Sequence, residues 1–519
     1  RAQAVAVRGG RIEAVGTDEE LRPFIGANTE VVELSGRAVT PGLVDGHCHL
    51  YGLGRSMEML SLKGLGQVGE VAARVRDSAG NRPQGEWIIG RGWDQNLWTP
   101  AEFPTHEPLT AAAPEHPVSL RRVDGHALWV NRAAMAIAGV TSATADPKGG
   151  RILRDAQGNP TGVFIDNAID LIEGKIPRPT PVAIERQVLM AADVAVAAGL
   201  TGVHEMGIDD DVAAVYRSLA GQERLKLRVY GLLAGEDQIN SLSTRELLVD
   251  PDGTAMFVLR AAKLFADGAL GSRGAALFEP YSDDPSNRGL ILLGEEELRQ
   301  AALTAAMNGW QLAVHAIGDR ANRTVLDAIE AARSATGNQD LRFRVEHAQV
   351  VAPQDIERFA RAGAIASMQP THATSDMPWA EKRLGPTRIK GAYAWRSIMS
   401  AGARLVGGSD FPVEEVSPLL GIFAAVSRQD TEGNPPGGFL PEQRLTLEEA
   451  IRIFTVDAAW ASFAERTRGL IAPGYVADLT IFDRELMPDR SLLDTHVERT
   501  IVGGKTVFRR AGNRSQLGR

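Results

Sequence analysis

Two histidines stand two residues apart in Leu43-Val44-Asp45-Gly46-His47-Cys48-His49. Residues i and i+2 of a β-strand project from one face. His47 and His49 can therefore aim both imidazoles at one point while Cys48 points away. Neutral imidazole is a common ligand for zinc and related divalent metals. Other groups of the same kind stand at or just beyond separate apolar segments. Lys263 lies in Ala261-Ala262-Lys263-Leu264-Phe265, His315 ends Leu312-Ala313-Val314, His347 follows Phe343-Arg344-Val345-Glu346, and Asp410 closes Gly407-Gly408-Ser409. A lone histidine such as His315 is more often a satisfied core residue than a ligand. Four histidines, an aspartate and a lysine at the ends of apolar strands point to a metal centre, provided the strands share one sheet. Cys48 is the single cysteine, which excludes an intramolecular disulfide and a Cys-rich zinc site. Any metal must then be held by His, carboxylate or something rarer.

The elements that must position these groups recur along the chain as a helix-period segment, a glycine, an apolar strand and a polar residue. Val182–Ala198, Gly199 and Leu200–Val203 lead to His204. Glu295–Asn308, Gly309 and Gln311–Val314 lead to His315. Pro353–Ala362, Gly363 and Ala364–Met368 lead to Gln369 and His372, and Gly391–Ala401, Gly402 and Ala403–Val406 lead to Asp410. Strands alternating with helices predict a parallel sheet. Polar residues gathered at the strand C-termini predict a barrel with its site at that face. The competing open, doubly wound sheet lacks its phosphate-binding fingerprint after the first strand. His204 and Glu205 end a strand facing the same cavity, where support of the ligands is favoured over ligation. His372 and Asp376 follow the seventh strand and are candidates to hold the substrate or the leaving group.

Both ends of the chain read as strands. Ala4–Val7 and Arg11–Val15 flank Gly9-Gly10, a hairpin pair, and Val31–Leu34 follows; Leu479–Phe482, Arg499–Val502 and Thr506–Phe508 match them at the C-terminus. One small β domain from residues 1–40 and 466–519 is expected, around a barrel of residues 41–465. Residues 50–180 interrupt the repeat with Trp87, Trp93, Trp98 and several prolines. That length needs its own structure, expected as a cap whose Asp124 and His126 reach toward the site. The tryptophans are expected to form the cap's own core.

The chain of 519 residues is 44% hydrophobic and 23% charged with net charge −9. That composition supports a large core and argues against nucleic acid or an anionic membrane as partner. No apolar run is long enough for a transmembrane helix. The chain begins at Arg1 without Met, so preceding residues are expected and localisation stays open, with the cytoplasm favoured.

The quoted segments, with Lys263-Leu264-Phe265-Ala266-Asp267-Gly268, His315-Ala316-Ile317-Gly318-Asp319-Arg320, Glu346-His347-Ala348-Gln349, Gly408-Ser409-Asp410-Phe411-Pro412 and Asp124-Gly125-His126-Ala127, resemble the amidohydrolase superfamily, in particular its YtcJ-like branch. The resemblance spans essentially the whole chain. Gly274 departs from it, standing where relatives usually carry Thr after Ser-Arg. The resemblance implies a (β/α)₈ TIM-like barrel with a small β-sandwich domain and a large insertion after the first barrel strand. It implies that His47 and His49 hold one metal with Asp410, that His315 and His347 hold a second, and that Lys263 bridges them. An ammonium cannot donate a lone pair; free lysine has a pKa of ~10.4, which burial lowers, and carbon dioxide added to the neutral amine would give a bridging carboxylate. The implied cofactors are two Zn²⁺, with Mn²⁺ or Fe²⁺ also suited to the donors. The implied reaction is hydrolysis of an amide-type C–N bond in a small molecule by a metal-activated hydroxide, with Asp410 as proton shuttle. A homo-oligomer is compatible with it. Two alternatives stand beside it: a mononuclear aminohydrolase acting on a ring C–N bond, and a non-catalytic binding module on the same fold.

Overall fold

The structure is a computed structural model, and it describes residues 2–511. Arg1 and residues 512–519 of the expected terminal domain lie outside the described residues.

Eight parallel strands make the central sheet: β1 (Leu43–Cys48), β2 (Leu200–Ile208), β3 (Arg228–Ala234), β4 (Phe257–Phe265), β5 (Gln311–Ala316), β6 (Arg344–His347), β7 (Ile365–Met368) and β8 (Arg404–Gly407). Each pairs in parallel with the next. The edges β1 and β8 abut, nearly closing a barrel. Gly46 must be glycine at that seam, because a Cβ would stand 2.1 Å from Val406 Cγ1 and 2.8 Å from the Gly407 carbonyl oxygen. Beyond the strands, the Asp410 amide donates to the His47 carbonyl at 2.7 Å and the His49 amide to the Phe411 carbonyl at 2.8 Å.

Three of the four repeat helices fall where the pattern predicts them; the fourth, expected over Gly391–Ala401, is α-helical only at Trp395–Ser400, because Tyr393 takes a left-handed backbone, φ 51°. Pro181–Ala197 starts with Pro181 behind the capping side chain of Thr180 and buries Ile184, Val188, Ala191 and Ala195 against β2 and its neighbours. Small and branched apolar residues at helical spacing make the seam that packs on a parallel sheet. Ile356–Ala362 ends at Gly363 in the left-handed conformation, φ 61°, which lets the chain turn straight into β7.

The termini build two antiparallel sheets. Ala4–Arg8 pairs with Arg11–Gly16 through the Gly9-Gly10 turn. Lys505–Arg509, Val497–Val502, Leu479–Phe482 and Val39–Pro41 form the other, in that order. Val31–Leu34, expected as a strand, is not one; Val31 is 51% exposed, and among the described residues no strand pairs with it. Val39–Pro41 takes that place beside Leu479–Phe482.

The insertion carries its own six-stranded sheet, in the order Leu60–Ser61, Ile88–Trp93, Val118–Arg122, Ala127–Val130, Pro160–Asp166 and Gly150–Arg154. Trp93, Trp98 and Trp129 are buried within it with Ile88, Val118 and Leu120, and the Trp93 and Trp98 rings stack at 5.9 Å. These tryptophans are core. The opposite face presents Ile89, Arg91, Ser119 and Arg121 to the barrel mouth. Among the described residues no helix is long and apolar enough to cross a membrane.

Candidate metal centre and active site

A cavity of about 1010 Å³ lies between the C-terminal ends of the barrel strands and the insertion. Its floor begins with β1. Asp45 is fully buried; its Oδ1 accepts from the His47 amide at 3.0 Å and its Oδ2 from Ser409 Oγ at 2.6 Å. One carboxylate thus pins β1 to the turn after β8 and brings His47, His49 and Asp410 together. Burial pushes Asp45 up to about 6. Asp410 itself sits at φ 59°, a left-handed conformation that a non-glycine residue adopts at some cost. Its Oδ1 lies 3.4 Å from His47 Nε2 and 3.2 Å from His49 Nε2. Burial alone would raise its carboxyl; the imidazoles of His47 and His49 hold it well below the ordinary range instead.

His47 is oriented from behind. Its Nδ1 lies 2.5 Å from Glu346 Oε2, and Glu346 Oε1 accepts from Arg344 Nε at 2.6 Å. Burial would raise the Glu346 carboxyl, and Arg344 and His47 outweigh it and hold it ionised. A histidine whose Nδ1–H is held by a carboxylate presents a basic Nε2, the usual arrangement behind a metal-binding imidazole. His347 is held likewise, with Nδ1 2.7 Å from Gln369 Oε1. Burial keeps His315 and His347 well below the ordinary histidine range, as neutral rings able to donate a lone pair.

Two groups have ligand atoms that all lie within 4.8 Å of one another: His47, His49 and Asp410, and His347, His372 and Asp410. Asp410 belongs to both. His47 Nε2, His372 Nε2 and Asp410 Oδ1 are buried without hydrogen-bond partners. Unsatisfied nitrogen and oxygen donors converging on one point fit a divalent cation. His315 does not fall in either group. Its ring is 4.6 Å from that of His347, but its Nε2 faces the Gly268 carbonyl at 3.4 Å and Asp267 Oδ1 at 3.5 Å, leaving Nδ1 as its candidate ligand atom. Lys263 is buried on the same floor, Nζ 4.6 Å from the centre of the Phe265 ring. Burial brings it down to about 8 against the pull of Glu346 and Asp410.

The insertion and the helix Pro370–Arg388 that follows β7 supply the walls. His126 Nδ1 is 2.7 Å from Asp166 Oδ1, and its ring is 5.2 Å from that of His315. Asp124 accepts from Arg122 Nη1 at 2.5 Å and from the His126 amide at 3.1 Å. Gly274 leaves room for this cluster, since a Cβ there would stand 3.0 Å from Asp166 Oδ2. His372 Nε2 stands 3.7 Å from Asp410 Oδ2. Asp376, pushed up to about 7 by burial, accepts from Tyr393 at 2.7 Å and Gln349 at 3.0 Å.

His204 is a correction: it does not line this cavity. Its Nδ1 accepts from Arg344 Nη1 at 2.9 Å beneath the site, because alternation along β2 turns it into the barrel interior. Glu205 points outward, accepting from the Leu50 amide at 2.6 Å and from Tyr216 at 3.2 Å. Reasoning from the sequence gave no role to Asp45, Glu346, Asp267 and Asp166, and named Gln369 only as the end of a strand. Asp267 accepts from the amides of Ile317, Gly318 and Ala276 at 2.8–2.9 Å and so shapes the loop beside His315. Glu346 and Asp45 had a signal, because each sits one or two residues from a strand-end histidine.

Comparison with known proteins agrees with this architecture. The amidohydrolase family profile matches residues 30–508. YtcJ of Bacillus subtilis (strain 168) is 35% identical, over 98% of this chain and 97% of its own. The N-substituted formamide deformylase of Arthrobacter pascens is 29% identical over 99% of this chain and 96% of its own. An uncharacterized metal-dependent hydrolase from Pyrococcus horikoshii superposes with a TM-score of 0.74 at 27% identity, covering 93% of each chain. With its barrel, its histidine and aspartate cluster and a family match across nearly its whole length, the chain belongs to the amidohydrolase family.

Proposed function

We propose that this chain is a metal-dependent hydrolase that cleaves an amide-type C–N bond of a small molecule. The observation that carries it is the convergence of His47, His49, His347 and His372 on Asp410, with unpartnered buried atoms, at the floor of a large cavity. In this reading His47, His49 and Asp410 hold one divalent ion and His347 with His315 a second, Zn²⁺ being favoured and Mn²⁺ or Fe²⁺ suited to the same donors. Lys263 would join them after its neutral Nζ adds carbon dioxide and releases a proton. A bound divalent metal supplies an acidified water, with pKa near ~7, and polarisation of a carbonyl oxygen.

The chain's own groups do the rest. Asp410, ionised and central, accepts a proton at a carboxylate oxygen and passes it to the departing amine nitrogen. His372, beside Asp410 Oδ2, orients that nitrogen. His126, braced by Asp166, offers Nε2 to the substrate. The insertion covers the cavity and limits water. A relative named as an N-substituted formamide deformylase supports amide-type substrates.

One observation favours a single-metal aminohydrolase instead: His315 turns its Nε2 to the Gly268 carbonyl and stands outside both ligand groups. Metal analysis with a screen of N-formyl and N-acyl amines separates the readings. Two metals per chain and release of a primary amine support the proposal. One metal with ammonia released from a ring substrate supports the other, and no hydrolysis of any amide would overturn the proposal.

A further inference from the structure

The roof of the cavity carries three arginines on adjacent strands of the insertion sheet, and their charges are not equally matched. Arg122 is enclosed by Asp94 and Asp124 and also donates to Gln95 Oε1 at 2.7 Å. Arg121 pairs with Glu173 and donates to the Gly125 carbonyl at 2.8 Å. Arg91 stands directly across from Arg121 in the parallel pairing of Ile88–Trp93 with Val118–Arg122. Like charges opposite one another weaken a strand pair, so a second carboxylate is expected here. None is in contact: among the described residues Arg91 makes one hydrogen bond, from Nη2 to the Val123 carbonyl at 2.9 Å, and no ion pair, while Asp410, Asp124 and Glu173 act on it only from beyond ion-pair distance.

Arg91 lines the cavity. A Cβ at Gly125, beside Asp124 and His126, would lie 3.9 Å from Arg91 Nη1, so the group sits over the part of the cap that meets the barrel. Its neighbours along the strand prevent it from withdrawing. Gly90 is packed against Leu60 and Leu120, and Gly92 against Lys63; the other sheet face is the tryptophan core. A partly desolvated guanidinium without a counter-ion in contact is unfavourable unless another molecule supplies one, and its fixed fork matches a carboxylate in two parallel hydrogen bonds.

Resting on the amide-hydrolase reading, we infer that Arg91 binds a carboxylate carried on the amine side of the substrate's amide, so that the preferred substrates are N-acyl amino acids or similar N-acylated carboxylates. One unmatched guanidinium corresponds to one negative charge. Neutral N-acyl amines would fit the cavity and leave Arg91 unpaired.

The test compares N-formylphenylalanine with N-formylphenethylamine, which lacks only the carboxylate. Binding is read by calorimetry and turnover by amine release, on the metal-loaded full chain, on Arg91→Met and on Arg91→Lys, each with its metal content measured. The wild type is expected to bind the acid at least about tenfold more tightly than the neutral compound. Arg91→Met should abolish that preference with metal content unchanged, leaving the neutral compound within about threefold. Arg91→Lys, which keeps the charge without the fork, should be intermediate and guards against misfolding of the Met variant. Equal binding of the two compounds by the wild type, equal losses for both in Arg91→Met, or no binding of the acid would overturn the inference. If the acid is preferred through Arg91 but no amine is released from either compound, amide hydrolysis fails and the carboxylate site stands. If both compounds are hydrolysed with equal kcat/KM, the carboxylate site fails and hydrolysis stands.

Discussion

Glu346 offers the sharpest perturbation of the proposed metal centre, because it touches the proposed ligand His47 and does not line the cavity. Its Oε2 is 2.5 Å from His47 Nδ1 and its Oε1 is 2.6 Å from Arg344 Nε. Both carboxylate oxygens are therefore committed as acceptors. Glu346→Gln keeps the shape but leaves one oxygen, so either Arg344 Nε loses its acceptor and the guanidinium keeps only the 3.2 Å contact from Nη2, or His47 faces an amide N–H and must turn or change tautomer. Loss of such a carboxylate behind a metal-binding histidine typically lowers metal affinity by about 10–100-fold. Stability should fall as well. Arg344 is fully buried and keeps only neutral acceptors, the Gly46 carbonyl, Ser367 Oγ and His204 Nδ1. Removing one partner of a buried ion pair costs about 3–5 kcal/mol, within the ~5–15 kcal/mol that a folded chain has in hand. Competition with a chromogenic chelator reads the first effect, and urea unfolding of the metal-free protein the second. Ser367→Ala is the control: it removes a different Arg344 partner, at about 1 kcal/mol, and should leave metal affinity near wild type. Metal affinity within twofold of wild type in Glu346→Gln would refute the orienting role.

Three further outcomes are expected. Asp410→Asn keeps one ligand oxygen and removes the proton acceptor, so kcat should fall by at least ~10²–10⁴-fold with metal largely retained; near-normal turnover would pass the role to another group such as His372. Lys263→Ala should lower metal occupancy itself, measured by elemental analysis, with partial rescue by short carboxylic acids; full occupancy in the variant would argue against a bridging lysine. Glu205, pushed up to about 8 by burial, binds a proton in the folded chain between its ordinary value and about 8 while the unfolded chain does not. Folding stability should therefore decline as pH rises through that window, by up to ~1.4 kcal/mol per pH unit from this group. Urea unfolding of Glu205→Gln should lack that part of the slope, and an unchanged profile would refute it.

Much of the site was legible in the residues because strand periodicity is simple. His47 and His49 two apart on β1 share a face, and the polar residue after each helix–glycine–strand unit marks the barrel's C-terminal rim. What periodicity cannot show is where a strand end turns. Alternation along β6 sends Arg344 and Glu346 into the barrel and Val345 toward the helices, so His347 should point outward. The left-handed backbone at His347, φ 71°, returns it to the cavity. The same applies to Asp410. His204 shows the opposite error: it ends an apolar run like the others, but β2 continues to Ile208, which leaves His204 below the rim. Val31–Leu34 had strand composition but no partner, and pairing is not encoded in one segment alone. The surplus charge on the roof was invisible too, since Arg91 and Arg121 are 30 positions apart in the chain and meet only through the insertion's parallel pairing.

The most direct measurement is anomalous diffraction at the zinc edge from crystals of the full chain grown with zinc. Two peaks about 3.5–4 Å apart are expected, one among His47, His49 and Asp410 and one beside His315 and His347, with density extending Lys263 Nζ between them. No peak at the barrel mouth, or zinc bound only elsewhere on the chain, would contradict a metal-dependent hydrolase built on these residues.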